Sequence, residues 1–179
     1  MNRHSVTQTM LIVAAALAMP AAAGAQAVTD AQIASIVVTA NQVDIDAGKL
    51  ASTRATRAEV KQFGALMVTD HTGVNKAAVD LVTKLGVTPQ DNPTSQSLKA
   101  GGEKNVAHLK TLKGAAFDKA YVDQEVAYHT AVLEAVDKTL IPNASNAELK
   151  ALLVKVRPAF VAHLDHAKQM QASLRGASE

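Results

Sequence analysis

The chain has 179 residues, no cysteine, 18 Lys and Arg against 16 Asp and Glu, and only 3% aromatic residues. Without cysteine there is no disulfide scaffold, no thiol nucleophile and no thiolate metal site, so packing alone must stabilise the fold. A near-neutral balance with no basic stripe and few aromatics argues against a nucleic-acid surface.

The first 25 residues read as a secretory signal peptide. Arg3 and His4 precede the apolar run "MLIVAAALAMPAAA", which Pro20 interrupts and the small residues of "AGAQA" follow. The best A-x-A cleavage site ends at Ala25, with Ala27 second. The apolar run is short for a membrane span, and no cysteine follows that a lipid could modify. Removing residues 1–25 leaves 154, with 17 Lys and Arg against 16 acidic residues, enough for one domain with a core. No later segment is long and apolar enough to cross a membrane. The expected product is soluble and periplasmic or secreted, with its domain over residues 28–174.

The mature chain reads as helices throughout. The first opens at Thr29, which forms an S/T-x-x-E/Q capping box with Gln32, and Ile33, Ile36, Val37, Ala40, Val43, Ala47 and Leu50 mark one face at helical spacing. A second box, Thr56 with Glu59, opens the next helix. It runs through Val60, Phe63, Met67, Val74, Ala78, Leu81 and Leu85 to a C-terminal cap at Gly86. The prolines of "VTPQDNPTS" mark a loop. Residues 95 to about 112 read as a shorter, weaker helix interrupted at Gly101-Gly102. Another helix begins near Asp118 and carries Val122, Val126, Val132, Leu133 and Val136 until "IPNAS" stops it. The last opens with a third capping box, Ser145 to Glu148, and continues to Leu174 with Pro158 inside it, where a lost backbone hydrogen bond predicts a kink. Four long amphipathic segments, with short links except for a long second connection, predict an all-α, ferritin-like four-helix bundle whose crossover carries a short extra helix.

Ionisable residues on the apolar faces point to chemistry. At 100° per residue, Asp44 falls inside the face of the first helix, while Asp46 points away. His71 is central on the second with Asp70 to one side. Glu125 and His129 share the face of the third, and His163 lies inside the fourth with His166 at its boundary. Counting 1.5 Å of rise per residue from the turns leaves Asp44 and His71 roughly 9 Å apart in depth, a gap that the lean of side chains towards their helix N-termini narrows, and sets Glu125 and His163 nearly level. Imidazole and carboxylate together suit Zn, Fe, Mn or Cu, and burying so many charges without a cation is costly. The competing reading is a polar network that only fixes helix register. Elsewhere, Asp118 reads as the N-cap of its own helix, His108 as solvated, and Tyr121 and Tyr128 as packing residues. No serine sits in a G-x-S-x-G elbow, and no glycine-rich phosphate loop is present.

The blocks "VDIDAGKLA" (43–51), "LMVTDHT" (66–72), "GAAFDKAY" (114–121), "VAYH" (126–129) and "RPAFVAHLDHA" (157–167) resemble, in order and spacing, those of the bacterial domain of unknown function 4142 family. The resemblance covers roughly residues 28–172. It implies an exported protein grouped with the ferritin-like proteins, with recurring polar positions at Asp44 (usually Glu there), Asp70, His71, Asp118, His129 and His163. It implies no biochemical activity, because none is established for the family. The E-x-x-H pairs of di-iron ferritins are absent, since Val68 and Phe160 stand three residues before His71 and His163. The expected function is therefore transition-metal binding through Asp44, Asp70, His71, Glu125, His129 and His163, in a setting of envelope stress or metal handling. The sequence names no protein partner. The alternative is a non-catalytic structural or interaction bundle.

Overall fold

The computed structural model describes residues 27–176, and every regular element among them is helical. The long helices are α1 (Asp30–Arg54), α2 (Ala58–Lys84), α3 (Pro93–Thr111), α4 (Gly114–Ala135) and α6 (Ala147–Gly176). A π-helical turn, Val136–Leu140, and the short α5 (Ile141–Asn143) join α4 to α6. No described helix is long and apolar enough to cross a membrane. The expected signal peptide lies outside the described residues.

Helices α1 and α2 pack along most of their length. Two glycines permit the close approach: a Cβ on Gly64 would stand 2.8 Å from Ala51 Cβ and from the Ser52 nitrogen, and one on Gly48 would stand 2.7 Å from the Gly64 carbonyl oxygen. Helix α4 packs on α6, while α2 also touches α6 and α1 touches α4. Helix α3 lies along α1, where a Cβ on Gly102 would stand 2.6 Å from a Val43 methyl. The expected interruption of α3 is thus corrected. The helix runs unbroken through Gly101-Gly102, and Gly102 is there because two helices meet at it.

Several helix starts also differ from expectation, because a side chain other than the expected one takes the cap. Thr29 and Gln32 do cap α1 reciprocally. At α2, however, the N-cap is Arg57 without a side-chain bond. The Thr56 backbone nitrogen (2.9 Å), the Thr56 hydroxyl (2.5 Å) and the Arg57 nitrogen (2.9 Å) all donate to the Asp118 carboxylate. Asp118 is fully buried on α4, which begins at Gly114, so it caps α2 rather than its own helix. At α6, the Asn146 side chain accepts from the backbone nitrogens of Glu148 and Leu149, while Asp30 accepts from those of Ser145 and Asn146. Asn92 caps α3 with Ser95 in return, which starts that helix at Pro93. Gly86, at φ +65°, closes α2 as its position predicts. Pro158 sits inside α6, which continues through it.

The core is two apolar clusters. One gathers Ala51, Val60, Phe63, Met67, Phe117, Val122 and Met170. The other gathers Ile33, Ile36, Ala78, Val136, Leu149 and Leu153. Along each of α1, α2, α4 and α6 the first cluster occupies one end and the second the other. Asp44, His71, Glu125, His129 and His163 fall between them. A polar layer therefore crosses the middle of the helices with oil above and below.

Candidate metal centre

Each helix delivers its layer residue for a local reason. The helical repeat sets Asn41 and Asp44 on the inward face of α1, three residues apart, and Glu125 and His129 on that of α4, four apart. His71 and His163 take single inward positions on α2 and α6. All six are buried to 4% exposure or less. The Asp70 carboxyl reaches the surface, its side chain 37% exposed. His166 is exposed and packs edge-on against Phe63, and His108 and Asp46 are also exposed, all three outside the layer.

The three imidazoles stand in van der Waals reach, with ring centroids 5.3–5.7 Å apart. Each has one nitrogen committed to an acceptor. His71 Nδ1 lies 2.7 Å from Asn41 Oδ1, and the Asn41 amide nitrogen donates to the Val37 carbonyl at 2.7 Å. That second bond fixes the amide with its oxygen towards His71, so His71 Nδ1 carries the proton. His163 Nε2 donates to Asp70 Oδ2 at 2.9 Å. His129 Nδ1 donates to the Glu125 carbonyl at 3.2 Å. A neutral imidazole has one donor and one acceptor nitrogen. The lone pairs therefore sit on His71 Nε2, His129 Nε2 and His163 Nδ1. Those same three buried atoms have no hydrogen-bond partner, and neither does Glu125 Oε2.

Asp44 stands beside them, its Oδ2 3.2 Å from His71 Nε2 and 3.7 Å from His129 Nε2. One ligand atom from each of His71, His129 and His163 lies within 4.8 Å of the others. The same holds for Asp44, Glu125 and His129. Asp70 belongs to neither group and reaches the layer only through His163. Phe160 stacks on His71 with centroids 5.4 Å apart, so the position that holds Glu in the di-iron pattern here holds an aromatic wall.

Burial sets the protonation. It pulls His71 down to about 3, with His129 and His163 adding to the effect. His163 is also lowered by burial, against the opposing effect of its hydrogen bond to Asp70. Burial raises Asp44 well above the carboxylate range, with Glu125 adding to it and His129 opposing. Glu125 rises to about 7 by burial, tempered by Asp44 and Tyr121. Tyr121 and Tyr128 are raised as well, first by burial. Burial thus favours the neutral forms of the Asp44 and Glu125 carboxyls and of the His71 and His163 rings. A cation bound by such a set would displace protons from the carboxyls.

The sequence reading missed Asn41, although the same helical angle that places Asp44 inward places Asn41 there too. Its side chain carries no charge, so a count of inward ionisable groups leaves it out. The family model described as "Domain of unknown function (DUF4142)" matches residues 15–170. No curated protein and no solved structure matches the chain.

Proposed function

The chain belongs to the DUF4142 family, and from that premise we propose that it is an exported protein that binds one transition-metal ion in the layer between its two apolar clusters. The observation that carries this reading is the convergence of three imidazole lone pairs, on His71 Nε2, His129 Nε2 and His163 Nδ1, with the Asp44 carboxyl beside the first two. Asp44 would supply the anionic fourth ligand. Glu125 would hold the proton or the hydrogen bond at its side. Asn41, the Glu125 carbonyl and Asp70 would orient the three rings, the outer partners that metal-bound histidines ordinarily require. Three nitrogens and an oxygen suit Zn, Fe, Mn or Cu. Such an ion supplies Lewis acidity or, for the redox-active metals, one-electron chemistry. Metal handling or protection of the envelope against stress is the setting this chemistry fits. Two features of the fold support a ferritin-like four-helix bundle with a crossover. All of α1, α2, α4 and α6 contribute to one layer, and α3 runs outside it along α1.

A second reading rests on the Asn41–His71 and Asp70–His163 bonds, which tie α1 to α2 and α2 to α6. In that reading the layer fixes helix register and holds no ion. Elemental analysis of untagged protein from the periplasmic fraction, with N-terminal sequencing, separates the two. The proposal expects about one equivalent of metal on a chain beginning at Gln26 or Val28, and Co²⁺ spectra of a nitrogen-rich site that His129→Leu abolishes. Metal-free protein whose melting midpoint ignores added Zn, Fe, Mn and Cu would leave the register reading standing.

A further inference from the structure

Two hollows lead from the surface towards the layer. The outer one, about 480 Å³, lies against α3 beside Ser97, Gly101 and Gln124. The inner one, about 140 Å³, is walled by Ile36, Val132, Val136, Leu153, Val156 and Phe160 and ends at Asn41, Asp44 and His71. Thr94, Leu98 and Tyr128 line both, so they stand where the two hollows adjoin. Tyr128 is held in place there by its hydroxyl, which donates to the Ala40 carbonyl at 2.9 Å.

The chemistry of the inner walls selects the occupant. Water in a cavity needs two to four polar partners, and a hollow of roughly 150 Å³ with aliphatic walls stays dry and accepts xenon or benzene. Here the polar lining is confined to Asn41, Asp44 and His71 at one side and Thr94 and Tyr128 at the other; the Asn41 amide is already committed to Val37 and His71, and the Tyr128 hydroxyl to Ala40. A charged or strongly hydrated molecule entering the hollow would lose hydrogen bonds that the walls cannot replace. Val136 and Leu140, which also line it, come from the π-helical turn, a distortion that recurs at functional sites.

We propose that the inner hollow binds a small, uncharged, apolar molecule of the size class of dioxygen, admitted past Thr94, Leu98 and Tyr128 and delivered to the His71 and Asp44 end. The delivery, though not the binding, rests on the metal reading. Methyl NMR of the metal-free protein under xenon pressure tests the binding itself. The expected result is saturable shifts confined to methyls that line the hollow, among them Ile36, Val132, Val136 and Leu153. Val156→Phe and Ala135→Leu, which fill the hollow from two different helices, should each abolish them while leaving the fold's circular dichroism intact. The second variant covers a failure of the first to fold. No saturable shift in the unmodified protein, or shifts that persist in a folded filled variant, would overturn the proposal. Because no metal is present in this assay, its failure leaves the metal reading untouched, and absence of metal binding leaves the hollow untouched.

Discussion

Replacing Asn41 by leucine removes the acceptor that holds the proton on His71 Nδ1. The bond it breaks is short, 2.7 Å, and buried, with Asn41 at 3% exposure, so no water replaces it. Two costs follow. If the proton stays on Nδ1, a buried donor is left without a partner, about 1–3 kcal/mol against the folded state. If the proton moves to Nε2, the lone pair turns away from Asp44 and the layer, and the nitrogen offered to the ion is lost. Disrupting the outer partner of a ligating histidine typically lowers metal affinity about 10–100-fold, which is roughly 1.4–2.7 kcal/mol of binding. The assay is a competition between metal-free protein and a chelating dye at neutral pH, run beside urea melts of the same samples. Asn41→Leu should lower both affinity and midpoint. Asn41→Asp, which keeps an acceptor for Nδ1–H, should recover the affinity. Should Asn41→Leu hold the ion as tightly as the unmodified protein while melting earlier, Asn41 would serve helix register alone and the tautomer argument would fall.

Glu125 gives a pH dependence. Its folded-state value is raised from 4.5 to about 7 by burial, so the stability tied to its protonated form is complete below about 4.5 and is lost as pH rises to about 7. Glu125→Gln, neutral throughout, should therefore stabilise the metal-free protein more at pH 8 than at pH 4, by up to roughly 3 kcal/mol; equal effects at both would mean that folding does not raise the Glu125 pKa. At the helix contact, Gly64→Ala pushes on the α1 backbone and should cost about 1–3 kcal/mol, whereas Gly73→Ala meets nothing and should gain up to about 1 kcal/mol of helix propensity; thermal melts that moved both the same way would contradict the packing. Asp118→Ala strands three donors and should cost about 3 kcal/mol or more, against about 1 kcal/mol for Thr56→Ala, because Asp118 still caps the two backbone nitrogens; guanidinium denaturation checks the ranking. His129→Leu and His163→Leu should not add in a metal titration, since loss of one ligand of a shared ion leaves little for the second loss to remove.

The helices themselves were legible because their signals are local. Thr29 with Gln32, Gly86 after Leu85, and an apolar face every three to four residues act within one or two turns, and those turns form as expected. The inward placement of Asp44, His71, Glu125, His129 and His163 was legible for the same reason: a helix fixes the angle between side chains, so a face can be counted from the sequence alone. The rise per residue set Glu125 and His163 nearly level but left Asp44 and His71 apart, and only the packed helices brought all five into one layer. What the sequence could not determine depends on groups far apart in the chain. Thr56 and Glu59 make a well-formed capping box on paper, yet Asp118, 62 residues away, takes the Thr56 donors because packing brings a whole carboxylate to them. Gly101-Gly102 reads as a break until Val43 of another helix occupies the space a side chain would need. Which nitrogen of each histidine is free was likewise decided only by tertiary structure. A tautomer is set by whatever acceptor the neighbouring helix presents, and no periodicity within one helix encodes what stands opposite it.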